Sequence, residues 1–250
     1  LRWDAETTRK KGAHERILTY FTNHQADILI GTQMLAKGLD LPLVTLVGVI
    51  LAEVGLNLPD YRAAERTFQV LTQVAGRAGR SPLGGRVILQ TYEPGNYAIQ
   101  TAAHHDYHAF YEQEMAYRRK LQYPPFTRLV RLEYRHHDPY QVEEAARTLA
   151  SSLRQWISES QSRTDLIGPA PCFFSRLYGR YRWQIILRGP DPAQLLRDRQ
   201  LPDWIVEVDP ATLLSGRALC RLFGWSGIAT SRYNRNEFIF MNAGIFKCKV

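Results

Sequence analysis

Three short runs rich in β-branched and apolar residues, ADILIGTQ (26–33), VTLVGVIL (44–51) and GGRVILQTY (84–92), are separated by segments with helical spacing of apolar residues. TTRKKGAHERILTYFTN (7–23) repeats Ile17, Leu18 and Phe21 at helical intervals, and RAAERTFQVLTQVAG (62–76) continues the pattern after the second run. Strands that alternate with helices must cross over a sheet before pairing, which makes the pairing parallel and the architecture an α/β layer. Ligands of such sheets gather at the carboxyl ends of the strands, and Gly31-Thr32-Gln33 stands directly behind one of them.

Beyond residue 100 the pattern changes. Residues 101–122 form one long polar-aromatic helix candidate, and YPPF (123–126) closes it because its prolines forbid continuation. FTRLVRLEYR (126–135) alternates as a strand, and YQVEEAARTLASSLRQWISE (140–159) is a helix with Val142, Ala146, Leu149 and Leu153 on one face. CFFSRLYGRYRWQIILR (172–188) predicts a hairpin turning at Tyr178-Gly179, DPAQLLRD (191–198) a short helix and WIVEVD (204–209) a last strand. The order β-α-β-β-α-β describes a small ferredoxin-like α+β unit. The expected organisation is an α/β domain over residues 1–100, a helical connector over 101–125, a second domain over 126–210 and a basic tail of unassigned fold over 211–250.

The net charge of +8 invites a nucleic-acid reading, yet residues 211–250 hold six Lys/Arg against one Glu, so most of the excess lies in the tail and is expected to be solvated. Local motifs therefore carry the functional argument. Cys172, Cys220 and Cys248 stand singly, without the pairing of a zinc site or of a secreted disulfide framework, which fits a reducing, cytoplasmic setting. No apolar run approaches the roughly 20 residues of a membrane span, so no membrane partner is expected. The first residue is Leu1, and the chain is expected to be a piece of something longer.

QVAGRAGR (73–80) sets Arg77 and Arg80 three residues apart at the end of a helix, among small residues that admit another backbone or a nucleotide. Planar guanidinium forks suit phosphate oxygens, and such a pair stabilises negative charge arriving from outside. Arginines at a helix end also cap its carbonyls and face water, and the residues alone leave both readings open. GTQMLAKGLDLP (31–42) offers backbone N–H groups, a hydroxyl, the Gln33 amide and the Lys37 cation at a strand end, equipment for holding a phosphate backbone. A capped turn with a solvated lysine has the same composition. SRLYGRYRWQ (175–184) interleaves Arg176, Arg180 and Arg182 with Tyr178, Tyr181 and Trp183 and holds no acid, which fits single-stranded or forked DNA or, equally, a hairpin with one aromatic face on the core. His104, His105 and His108 in HHDYH lack a carboxylate or cysteine partner at metal-ligand spacing and are expected to be surface residues.

GTQMLAKGLDLP and QVAGRAGR, in that order and spacing, resemble motifs V and VI of superfamily 2 helicases in the spelling of the primosomal protein N′ (PriA) family. TTRKKG (7–12), DYRAAERTFQVLTQ (60–73), GRVILQTY (85–92), YPPF and GPAPCFFSRLYGRYRWQIIL (168–187) are similar to that family as well, and the likeness covers about residues 1–210. It implies a RecA-like second helicase lobe followed by a carboxyl-terminal domain that helps bind branched DNA. It further implies that Arg80 is an arginine finger at the γ-phosphate of ATP, assisted by Arg77 and Gln73. Gly31, Thr32, Gln33 and Lys37 would hold the translocated strand, and Gly38 and Asp40 would couple that contact to the nucleotide.

By the same likeness the complete protein consumes ATP with Mg²⁺, unwinds DNA 3′ to 5′, acts at forked and single-stranded DNA near the nucleoid, and works with single-strand-binding and primosome proteins. The phosphate loop GxxxxGK[ST], the acidic metal-binding motif and the cysteine cluster of the family's structural zincs are expected before Leu1, so this chain alone is expected to be inactive as an ATPase. The alternative is a motor-less module, or a truncated product, that binds fork DNA or primosome proteins. The segment from about Ser215 departs from the family pattern.

Overall fold

The computed structural model describes residues 1–4, 6–32, 44–78, 84–214 and 245–249. In chain order these carry β1 (Arg2–Trp3), α1 (Ala13–Thr22), β2 (Ile28–Gly31), β3 (Val44–Ile50), a 3₁₀ turn (Ala52–Gly55), α2 (Ala63–Ala78), β4 (Arg86–Gln90), α3 (Tyr97–Ala103) and α4 (Tyr107–Lys120). There follow β5 (Arg128–His136), α5 (Pro139–Glu159), β6 (Asp165–Leu177), β7 (Arg180–Gly189), a second 3₁₀ turn (Pro192–Leu196), β8 (Ile205–Val208) and β9 (Ile245–Lys249).

The chain divides into two compact units. Among the described residues, unit 1 holds Leu1–Leu58, Arg62–Gln113 and β9, and unit 2 holds Pro59–Tyr61 and residues 114–214, so the division falls inside α4. Unit 1 is built on a five-stranded sheet in the order β1-β2-β9-β3-β4. β1 pairs with β2 and β3 with β4 in parallel, as helical crossovers require, whereas β9 lies antiparallel to both β2 and β3. The strand content of the tail was not legible in the sequence, and its direction breaks an otherwise parallel sheet. β2 also differs from a strand buried on both faces: Leu29 and Gly31 are buried, while Ile28 and Ile30 are 47% and 41% exposed. The core of this unit joins Leu29, Val47 and Val49 of the sheet with Phe21 of α1, Phe68, Leu71 and Val74 of α2, Ile99 of α3 and Phe110 of α4.

The single helix expected over 101–122 is two helices. His105 adopts a left-handed backbone (φ 55°), and the Asp106 carboxylate accepts from Ala109 N–H at 2.9 Å, starting α4 afresh. A carboxylate ahead of a helix satisfies one of its unpaired N–H groups, so Asp106 acts as a cap. α3 begins in the same way, with the Asn96 side chain accepting from Ala98 N–H.

Unit 2 contains a four-stranded sheet in the order β6-β7-β5-β8, antiparallel throughout. That order around the β-α-β-β-turn-β chain path is the ferredoxin-like one. The second helix is reduced to the five-residue 3₁₀ turn Pro192–Leu196. α5 is capped by Asp138, which accepts from Tyr140 N–H at 2.8 Å, and Pro139 occupies its first turn, where a missing N–H costs nothing. Its buried residues Leu149, Ala150 and Leu153 close over Val130 and Leu132 of β5 and Ile185 and Leu187 of β7. β6 and β7 turn at Tyr178 (φ 55°) and Gly179 (φ 76°); two consecutive positive φ values match the right-handed twist of a two-residue hairpin.

Candidate nucleotide and nucleic-acid sites

α2 is seated by its inward face. Phe68, Leu71 and Val74 are buried, Phe68 stacks on Phe110 with ring centroids 4.2 Å apart, and Thr67 donates to Ala63 carbonyl at 2.9 Å. The 3₁₀ turn lies so close to this face that a Cβ added to Gly55 would stand 2.5 Å from Thr67 Oγ1, which explains a glycine there. Gln73 lies on the exposed side of α2, and Arg77 occupies its last turn. Residues four apart on a helix share a face, so the backbone places Gln73 and Arg77 one above the other. Arg80, like Gln33, Lys37, Gly38 and Asp40, lies outside the described residues.

The strand ends beside this helix are fixed by a buried acid that the sequence did not single out. Glu53 is 6% exposed and accepts from the Thr91 hydroxyl at 2.7 Å and from Tyr92 N–H at 3.2 Å, tying the turn after β3 to the end of β4. Burial alone would raise its pKa, but these hydrogen bonds hold the carboxyl below the usual carboxylate range. At the end of β2, Gly31 is buried and Thr32 half-buried, and Gly31 pairs with Trp3 of β1. The carboxyl edge of the sheet therefore presents Gly31 and Thr32, with Glu53 acting as internal bracing.

In unit 2 the basic-aromatic hairpin separates into two populations. Arg176 and Arg180 are exposed, Tyr181 is half-buried, and the Arg176 guanidinium sits 5.2 Å from the Tyr181 ring centre. Tyr178 and Phe173 are 49% and 43% exposed. Arg182 departs from the surface role expected of it. It is 1% exposed, donates to Glu133 through Nε at 2.7 Å and Nη2 at 2.9 Å, and gives Nη1 to Phe174 carbonyl at 3.2 Å. A guanidinium committed to three acceptors beneath the surface supports the hairpin and does not meet a phosphate.

Glu133 is the hub of that support. It is fully buried and also receives Arg131 at 3.2 Å and Arg135 at 2.6 Å, while Arg131 reaches Glu207 at 2.9 Å. Burial opposes its charge, but Arg182, Arg135 and Arg131 overcome this and pull the carboxyl below the ordinary glutamate range. Cys172, buried nearby, has its thiol pushed up to about 11, first by desolvation and then by the Glu133 charge. The signal for the hub was the spacing Arg131, Glu133, Arg135, which sets three charges on one face of a strand whose other face is apolar. That spacing alone does not say that the charged face is covered.

Comparison with known proteins matches this division. The model of the helicase conserved C-terminal domain matches residues 5–82, and that of the primosomal protein N C-terminal domain matches residues 119–211. Unit 1 is thus the RecA-like carboxyl lobe of a helicase, and a small C-terminal domain follows it. The replication restart protein PriA of Bacillus subtilis (strain 168) is 45% identical over 195 residues, covering 78% of this chain and 24% of its own length. That of Synechocystis is 45% identical over 190 residues (76% and 22%), and that of Haemophilus influenzae 36% identical over 226 (85% and 30%). The chain belongs to the PriA family of replication restart proteins. It spans about a quarter of the length of these relatives.

Proposed function

We propose that this chain supplies the second motor lobe and the fork-binding domain of an ATP-dependent 3′-to-5′ DNA helicase that restarts stalled replication and assembles the primosome. The observation that carries the reading is the seating of α2. Its core face is locked by Phe68, Leu71, Val74 and the Gly55–Thr67 approach, while Gln73 is exposed and Arg77 follows one turn later. An arginine finger gains its effect by meeting a γ-phosphate without reorganising, and a firmly seated helix whose sequence runs on into Arg77 and Arg80 suits that role. Arg80 is the proposed finger, with Arg77 and Gln73 beside it. Gln73, Arg77 and Arg80 are hydrogen-bond donors without a carboxylate, a set that suits phosphate oxygens and not Mg²⁺. Binding of the metal is assigned to the rest of the complete protein, and no step here runs through it.

Gly31, Thr32, Gln33 and Lys37 would hold the DNA backbone at the strand ends, and Gly38 and Asp40 would link that grip to the nucleotide. Arg176, Arg180 and Tyr181 would take the fork through cation and stacking contacts. The partners are forked and single-stranded DNA, primosome proteins and single-strand-binding protein, at the nucleoid in the cytoplasm. Among the described residues no helix is long and apolar enough to cross a membrane. The second reading, a motor-less fork-binding module, draws on the separate core of unit 2 and its exposed hairpin.

Fork binding by the 250-residue chain, measured by fluorescence anisotropy across a salt series, tests the hairpin part. Arg176→Ala with Arg180→Ala is expected to weaken binding and to lower the slope of log Kd against log salt by about 1–2, one phosphate contact for each arginine. An unchanged slope would remove the hairpin from the interface.

A further inference from the structure

Within unit 2, β5 and β7 pair so that Val130 stands opposite Leu187, Leu132 opposite Ile185, Tyr134 opposite Trp183 and His136 opposite Tyr181. Opposed residues of an antiparallel pair share a face, and every second residue returns to it, so these pairs form one row along the sheet. Val130, Leu132, Ile185 and Leu187 are fully buried in the core beneath α5. Tyr134, His136, Tyr181 and Trp183 are half-buried. The row therefore turns from aliphatic to aromatic where it turns from closed to open, while Arg131, Glu133 and Arg135 alternate onto the other face.

The rings are held in place by their neighbours. Tyr134 and His136 lie nearly parallel, 9° apart in plane and 6.5 Å between centres, and Trp204 stands 5.3 Å from Tyr134. His136 accepts from Asp138 N–H through Nδ1 at 3.0 Å, and the Asp138 carboxylate is taken up by Tyr140 N–H at 2.8 Å. On the hairpin side Tyr181 pairs with Arg176 of β6, whose guanidinium lies 5.2 Å from the ring centre, and Arg180 is exposed one residue earlier. Two cations thus border a face of rings, and SRLYGRYRWQ holds no carboxylate to oppose them. Phosphate oxygens need only the arginines. Rings gain contact only where a base offers its flat face, and in duplex DNA the neighbouring bases already cover that face.

We infer that Tyr134, His136 and Tyr181 form a stacking platform for unpaired nucleobases, bordered by Arg176 and Arg180 as phosphate contacts, so that unit 2 takes the single-stranded part of a fork by its bases. The inference rests on the fork-binding reading above and adds to it two residues, Tyr134 and His136, and a ligand chemistry, the flat face of a base. Stacking of this kind tolerates any sequence because every base has a π-face, which suits a replication restart protein.

Fluorescence anisotropy of the 250-residue chain on two synthetic forks tests the platform. Both forks carry a single-stranded gap of about eight nucleotides, a length that one such surface can occupy. In one the gap holds thymines, and in the other every gap nucleotide is a tetrahydrofuran abasic residue, which keeps the phosphates and removes the bases. The wild-type chain should bind the abasic fork about fivefold or more weakly, the effect of at least one stacked base. His136→Leu combined with Tyr181→Leu should shrink that difference to within about twofold and leave the Kd for the abasic fork within about twofold of wild type. Tyr181→Phe, which keeps the ring, should retain the difference. Equal binding of the two forks by wild type overturns the platform, as does a difference that survives the paired leucine variant. Equal loss on both forks in that variant also overturns it, because a merely structural role would act so. Failure of the wild-type chain to bind either fork, or an unchanged salt slope in Arg176→Ala with Arg180→Ala, overturns the fork-binding reading itself, and the platform with it.

Discussion

Replacing Glu133 by alanine should be the most damaging single change in unit 2. It would leave Arg182 and Arg131, both almost fully buried, with Glu207 as the remaining acid contact described for either, and Glu207 bonds Arg131 alone. Removing one member of a buried ion cluster typically costs about 3–5 kcal/mol, because the partners keep their desolvation penalty and lose its compensation. For a domain near 100 residues each kcal/mol moves Tm by about 4–8 °C, so a fall of about 12–40 °C is expected for the unit 2 transition. Urea and thermal unfolding followed by the fluorescence of Trp156, Trp183 and Trp204 would report it, since Trp204 lies 5.3 Å from Tyr134 on the central strand. The folded Glu133 carboxyl lies below its ordinary value of 4.5, so its contribution is fully present above that pH and fades as pH falls through the depressed folded value. The gap between wild type and Glu133→Gln should therefore shrink in acid. Glu133→Leu combined with Arg131→Met and Arg182→Met should recover most of the loss, because the charges leave together. A cost below about 1 kcal/mol for Glu133→Ala, the range of exposed ion pairs, would refute the argument.

Gly55→Ala should destabilise unit 1 by about 1–3 kcal/mol through overpacking against Thr67, and Thr67→Ala in the same chain should relieve much of it by removing Oγ1, which a double-mutant denaturation cycle would measure. Native Cys172 should resist iodoacetamide at pH 8, because burial both shields it and raises its thiol to about 11, and peptide mapping should show labelling begin with unfolding. Asn96→Ala should cost about 1 kcal/mol through loss of the α3 cap, seen as a lower urea midpoint for unit 1.

The parts of this fold that follow from local pattern were legible in advance. β2, β3 and β4 announce themselves through β-branched runs, α2 and α5 through their apolar faces, and the hairpin through Tyr178-Gly179. The break at His105-Asp106 was missed because neither residue is a strong helix breaker, and the cap that restarts α4 is a three-dimensional hydrogen bond. β9 was missed because a five-residue strand placed between β2 and β3 depends on pairing some two hundred residues away along the chain. Arg182 looked like its neighbours Arg176 and Arg180. What separates it is Glu133, 49 residues earlier, whose strand β5 pairs with β7 so that Arg182 comes within hydrogen-bonding reach. Gln73, Arg77 and Arg80 were singled out by motif spacing, whereas the bracing by Glu53 and the grip of Thr212 on Asp60 depend on contacts that no motif records.

The most direct test of the central claim is DNA-stimulated ATP turnover by a full-length PriA protein carrying this sequence as its carboxyl part, wild type against Arg80→Ala, with the 250-residue chain as control. The account predicts a fall in kcat of about 10³–10⁵, the range of known arginine fingers, with fork binding retained and no turnover by the 250-residue chain. Turnover within tenfold of wild type in Arg80→Ala, or hydrolysis by the 250-residue chain above its own Arg80→Ala control, would contradict it.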